Sequence, residues 1–241
     1  AREMPRARGH VRFNNVTFSY NGSHPVLRNV GFEVEPGETV ALLGPPGSGK
    51  STIVSLIPRF YDAPPGSITI DGTDIRELTL SSLRRNIGIV QQDVFLFSAS
   101  IRENIAYGAV NANIEQIVAV AKAAQLHDFI MSLPDGYDTW VGERGVTLSG
   151  GEKQRLAIAS VLAGRPTVVV MDEPTTDLDP IGKRDVFSLA RTLRGEIQGI
   201  ILVEHETEHI IQADRVLLMY EGCIIKEGTP ASILSDPNFL E

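Results

Sequence analysis

Alternating apolar and polar positions open the chain. Val11 to Phe13, Val16 to Tyr20 and Phe32 to Val34 read as short strands, separated by polar and Gly/Pro turns such as Asn21-Gly22 and Pro36-Gly37. They predict an antiparallel layer. Thr39 to Leu43 then forms a buried-strand run that feeds a glycine-rich turn and an apolar-periodic helix, from Ser51 to about Ile57, ended by Pro58. Further short apolar strands are expected at Ile68 to Ile70, Ile87 to Val90, Val168 to Met171, Ile200 to Val203 and Val216 to Tyr220, with helical patterns between several of them. That alternation describes an α/β core. Between Asp93 and Gly164 the strand signal disappears, and Asn113 with Gln116 makes a capping-box pair ahead of Ile114, Ile117, Val118 and Ala121. The pattern therefore predicts one domain over residues 1–241: an α/β core with its β layer from 1–92 and 165–241, and an inserted helical subdomain from 93–164.

Composition narrows the chemistry. With 241 residues and 42% hydrophobic content the chain can bury a full core. Its 22 Lys and Arg against 30 Asp and Glu leave a formal charge of -8, which disfavours a general nucleic-acid binder with its basic footprint. Any anionic ligand must be gripped locally. A single cysteine, Cys223, excludes an internal disulfide and a Cys-based zinc site. The longest apolar runs, Val168 to Met171 and Ile200 to Val203, fall far short of the roughly 18 residues a membrane helix needs. Ala1 to His10 carries three arginines and no apolar stretch of a signal peptide, so a cytoplasmic location is expected.

The local grip is visible in Gly44-Pro45-Pro46-Gly47-Ser48-Gly49-Lys50-Ser51, which satisfies G-x-x-x-x-G-K-[ST] after a strand and at the start of a helix. Glycines there let backbone N–H groups turn toward phosphate oxygens, and the helix N-terminus adds partial positive charge. Lys50 is expected to reach the β- and γ-phosphates and the Ser51 hydroxyl to hold Mg²⁺. Val168-Val169-Val170-Met171-Asp172-Glu173 supplies a strand that ends in two acids. Alone, such a pair is more often a solvated turn or a helix cap. Beside a phosphate loop, Asp172 is expected to hold Mg²⁺ through water and Glu173 to polarise the attacking water.

Leu148-Ser149-Gly150-Gly151-Glu152 precedes a helical pattern from Lys153 to Leu162 that Gly164 and Pro166 close. By itself Ser-Gly-Gly before a helix is a good N-cap and a general anion site. Together with the two preceding motifs it resembles the LSGGQ signature of ABC (ATP-binding cassette) ATPases, with Glu152 in the final place. The resemblance covers nearly the whole chain and implies a P-loop NTPase (RecA-like) core. It places ATP against Gly44, Gly47, Ser48, Gly49, Lys50, Ser51 and Thr52, with Tyr20 stacked on the adenine. It also implies a Q-loop glutamine at Gln92, contacting Mg²⁺ and the attacking water, a D-loop over Thr176 to Asp179 with Asp179 at the dimer interface, and a switch histidine at His205 near the γ-phosphate. Taken singly, Tyr20 is more often edge packing, and Gln92 and His205 are more often structural residues after strands.

In this family the signature residues face the ATP held by a second chain, so Ser149, Gly150, Gly151 and Glu152 are expected to complete the site in trans in an ATP-bridged homodimer. Tyr137 to Gly145 looks like the x-loop of ABC exporters, with Trp140 departing from the more usual small or acidic residue. Val94, Phe95, Leu96 and Phe97 make an apolar patch suited to a transmembrane domain. A transporter motor at the cytoplasmic face of a membrane is the implied function. A soluble ABC protein, or an ABC-fold scaffold that binds ATP with little turnover, is the alternative. From about Leu156 onward, Asp179-Pro180-Ile181-Gly182-Lys183-Arg184, Val203-Glu204-His205-Glu206 and Glu227-Gly228-Thr229-Pro230 resemble importer ATPases of the cobalt and energy-coupling-factor type. The two halves suggest a recombined or engineered cassette, a chimera joined near the signature helix, with a natural but divergent member as the alternative.

Overall fold

A computed structural model describes residues 1–22, 24–109, 111–142, 146–174, 197–205 and 210–235 of the chain. They divide into two compact units, one of residues 1–22, 24–87, 167–173, 197–205 and 210–235, the other of 88–109, 111–142, 146–166 and 174.

In the first unit the opening alternation becomes one continuous strand. β1 (Val11–Phe18) buries Val11, Phe13, Val16 and Phe18, and pairs antiparallel with β2 (Leu27–Val34). Register shifts between Phe13 and Val16 and between Val16 and Phe18 interrupt the ladder, with Asn15 at φ 48° in the left-handed region that asparagine tolerates better than most residues. The bulge makes one strand look like two in sequence, and the strand stops at Phe18, leaving Tyr20 beyond it. Phe13 lies opposite Phe32 and stacks on it at 4.6 Å, which fixes the register from the buried face. The layer is completed by β4 (Ile68–Ile70) and β5 (Thr73–Asp74), in the order β2-β1-β4-β5, and α2 (Leu80–Arg85) follows it in the chain.

The second sheet of this unit is built on β3 (Glu38–Leu43), which leads through the glycine loop into α1 (Lys50–Leu56). Parallel neighbours flank β3: β10 (Gly199–Glu204) on one side, with β9 (Val168–Asp172) beyond it, and β11 (Arg215–Tyr220) on the other, with antiparallel β12 (Cys223–Gly228) beyond that. Every residue of β10 is buried, as are Val40 to Leu43 and Val168 to Met171. Unbroken apolar runs of this kind are what a parallel sheet covered on both faces requires. In the registers, Leu43 lies opposite Glu204 and Val203 opposite Asp172. The carboxyl ends of β3, β10 and β9 are therefore level, and the residues that follow them emerge at one sheet edge.

The second unit is mainly helical, with α3 (Ile101–Ala106) and α4 (Ile114–Ala123) packed on α6 (Gly150–Ala163), and α5 (His127–Ser132) beside α4. Three of these four helices, α3, α4 and α6, start on capping boxes, at Ser100/Glu103, Asn113/Gln116 and Ser149/Glu152. A Cβ on Gly108 would stand 1.8 Å from the Ser160 carbonyl oxygen, so the close approach of the chain after α3 to α6 requires glycine. One feature departs from the sequence expectation of a purely helical segment: β7 (Ala99–Ser100) pairs antiparallel with β8 (Trp140–Val141). Two-residue strands are too short to leave an alternation in the sequence.

Candidate active site

The glycine loop is shaped by what it presses against. A Cβ on Gly44 would lie 2.3 Å from the Met219 carbonyl oxygen and 2.9 Å from Ser48 Oγ, so the loop leaves β3 in contact with the backbone of β11. Gly47 at φ 82° and Gly49 at φ 102° make the turn that side chains with a Cβ resist. The loop is further pinned where Gly222 N donates to Ser48 O at 3.1 Å. Gly44→Ala is expected to destabilise the chain by about 1–3 kcal/mol through this clash, read as a lowered denaturant midpoint. An unchanged midpoint would contradict the packing of the loop on β11.

Lys50 is buried, and its Nζ donates to the carbonyl oxygens of Gly44 at 2.6 Å and Pro45 at 3.1 Å. Burial lowers its pKa from the usual lysine value, and the charges of Glu173 and Asp172 oppose that shift. At the end of β9, burial raises the Asp172 pKa above the usual carboxylate value, the charge of Glu173 raises it further, and Lys50 pulls it down. One cation and two acids thus act on one another at the level strand ends. Glu173 has φ 46°, donates its backbone N–H to Val203 O at 3.0 Å, and places Oε2 3.5 Å from Nδ1 of His205. The left-handed backbone turns the chain sharply as it leaves β9.

Tyr20 stands beside the first turn of α1. Its hydroxyl donates to Thr52 Oγ1 at 3.0 Å, and its half-exposed ring meets Phe18 and Tyr61 edge-on at 5.1 and 4.8 Å. Tyr61 was not foreseen from sequence, where an aromatic after a helix carries no signal of its own. The supporting backbone of Met219 and Gly222 was equally invisible, because both lie far along the chain from the loop.

The sequence-derived site residues fall into two groups. Tyr20, Gly44, Gly47, Ser48, Gly49, Lys50, Ser51, Thr52, Asp172, Glu173 and His205 lie in the α/β unit. Gln92, exposed just after β6 (Ile87–Val90), and Ser149 to Glu152 lie in the helical unit. Ser149 caps α6: its Oγ accepts from Glu152 N at 3.3 Å and its N–H donates to Glu152 Oε2 at 2.7 Å. The glutamate at the final signature position thereby closes the capping box. Asp179, the rest of the D-loop and Glu143 to Gly145 of the x-loop segment lie outside the described residues.

The α/β group fits a bound polyphosphate. Lys50 supplies a buried cation, Ser48 Oγ is buried without a hydrogen-bond partner, and Gly49 starts α1 without any side-chain cap over its first amides. A hard divalent cation is also suited by the oxygen donors of Ser51 and Asp172.

Parallel strands ending together on a glycine loop and an acidic strand terminus are the arrangement of the P-loop nucleoside triphosphatases. Within that class the chain belongs to the ABC transporter family, whose sequence pattern matches residues 27–176. It is similar to the ATP-binding cassette sub-family B member 6 of Rattus norvegicus, with 47% identity over 229 residues that make up 95% of this chain and 27% of that protein. It is also similar to the ATP-dependent lipid A-core flippase of Syntrophus aciditrophicus, with 43% identity over 97% of this chain and 38% of that protein. Among solved structures, a bacterial Atm1-family ABC exporter with ATP bound matches at a TM-score of 0.90 and 43% identity, over 97% of this chain and 41% of that one. The chain therefore spans between 27% and 41% of the length of these relatives. It is an ABC nucleotide-binding domain homologous to exporter ATPases.

Proposed function

We propose that this domain binds ATP with Mg²⁺ and hydrolyses it as the motor of an exporter-type transporter, closing as a homodimer around the nucleotide. The observation that carries the reading is the convergence of Lys50, Asp172, Glu173 and His205 at the level ends of β3, β9 and β10. Lys50 grips the β- and γ-phosphates, exchanging its bonds to loop carbonyls for charge-assisted ones. Tyr20, held by Thr52, presents its ring to the adenine, and Thr52 with Gly44 to Ser51 lines the phosphates. Ser51 and Asp172, with Gln92, hold the metal, which when bound neutralises developing phosphate charge. Glu173 orients the attacking water and accepts its proton, with His205 Nδ1 positioning the carboxylate. Ser149, Gly150, Gly151 and Glu152 of one copy, with Asp179 at the interface, complete the site of the other.

The partner on the membrane side is a transmembrane domain, a reading supported by the likeness to a flippase and an exporter of which this chain spans only 38% and 41%. Phe95 is 77% exposed, packs edge-on against Phe97 at 5.2 Å, and Phe97 in turn meets Tyr107 at 4.4 Å. Such an aromatic cluster is suited to a helix end. Trp140, half-exposed with its Nε1 donating to Ser98 Oγ at 3.3 Å, belongs to the same unit. Among the described residues, no helix is long and apolar enough to cross a membrane. The reading places the domain at the cytoplasmic face.

If two copies make each site, specific ATPase activity rises with protein concentration until the dimer saturates. A flat profile across a hundredfold range, on the order of the window that separates monomer from dimer, would overturn the shared-site mechanism.

The importer-like segments after Leu156 support a second proposal, that the cassette joins two parents near α6 and turns over slowly for that reason. Identities counted separately for residues 1–155 and 156–241 against exporters and importers test it. Equal exporter identity in both segments removes the idea.

A further inference from the structure

We propose that His10, Glu33 and Glu35 form a binding site for a divalent transition-metal ion of the zinc type, on the antiparallel layer and separate from the nucleotide loop. The register of the layer creates the cluster. Val11 lies opposite Val34 and Arg12 opposite Glu33, so His10, one residue before β1, falls across from Glu35 and diagonal to Glu33, with all three side chains on one face. His10 is held in place from behind: its backbone N–H donates to Asp71 Oδ1 at 3.1 Å and its carbonyl accepts from Asp71 N at 2.8 Å.

The donor atoms are nearly in coordinating positions. His10 Nε2 lies 3.4 Å from Glu33 Oε2 and 3.8 Å from Glu35 Oε1, and one ligand atom of each residue falls within 4.8 Å of the others. Donors around a tetrahedral zinc stand about 3.3–3.5 Å apart, so small side-chain rotations complete the set. Nε2 has no accessible surface and yet makes no hydrogen bond to either carboxylate, a cost that a metal bond would remove. Neighbouring cations leave the carboxylates available. Arg12 Nε comes only to 4.0 Å of Glu33 Oε2, and Arg215 takes the backbone oxygen of Glu33 instead.

A cavity of about 810 Å³ gives access, with His10 and Glu35 in its wall beside Arg8, Pro36 and Asp71. Three protein ligands, two of them in the cavity wall, leave a fourth position for water or a small anion. One imidazole with two carboxylates favours zinc-like ions over Mg²⁺ or Ca²⁺, which prefer all-oxygen shells.

Calorimetric titration of ZnCl₂ into the metal-free, nucleotide-free chain at neutral pH tests the site. One saturable equivalent is expected, persisting in excess MgCl₂. His10→Gln, Glu33→Gln and Glu35→Gln should each weaken it by at least about tenfold, since even outer-shell changes cost that much at metal sites. Metal-free melting curves confirm folding, and the more exposed Glu35→Gln carries the test if His10→Gln is unstable. Absence of zinc binding up to millimolar concentration, or folded variants with parental affinity, would overturn the proposal and leave an ordinary histidine–carboxylate contact.

Discussion

Lys50→Ala is expected to lower ATP affinity by on the order of a hundredfold, the loss of charge-assisted hydrogen bonds worth about 3 kcal/mol. Titration with a fluorescent ATP analogue reads it directly. The substitution acts twice. It removes the cation proposed to meet the phosphates, and it removes the bonds by which Nζ gathers the Gly44 and Pro45 carbonyls. Loop order is separable from charge: Lys50→Met keeps most of the aliphatic volume without the ammonium, so it should match the alanine variant in affinity if charge dominates. Parental ATP affinity in both variants would contradict the assignment of this loop.

Glu173→Gln is expected to keep ATP binding while turnover falls by at least about a hundredfold, the usual scale for a positioned general base. The amide retains the size of the side chain and its place near His205 Nδ1, but it cannot accept the proton of the attacking water. With product formation blocked, saturating ATP should hold the variant as a dimer in sedimentation velocity, while the nucleotide-free chain sediments as a smaller species. A variant that stays monomeric in saturating ATP would overturn the sandwich, and one that hydrolyses at the parental rate would move the base to another residue.

What could be read in the sequence was whatever is local. Gly44 to Ser51 announces its own turn because glycines and a lysine at fixed spacing have one common use, and the apolar runs at β9 and β10 announce burial on both faces. Asn113 and Gln116 signalled a helix start that the structure forms with reciprocal bonds of 2.9 and 3.0 Å. The ribbon of β7 and β8 left no such trace, and the bulge at Asn15 split one strand into two apparent ones. Long-range partners were the other blind spot. Nothing near Gly44 in the sequence points to Met219, and nothing near His10 points to Glu35 until the strand register is known. Ser149 and Glu152 were legible as a motif, but their mutual capping bonds depend on backbone geometry.

The contact of Gly44 with Met219, and of Ser48 with Gly222, also bears on synthesis. β3 gains its two flanking partners, β10 and β11, only from the final third of the chain, and Thr39 N donates to Asp214 across 175 residues. During synthesis the phosphate loop is made before β10 and β11, and these long-range contacts can form only after both have followed it. The wall behind the loop is therefore incomplete until β10 and β11 have been made.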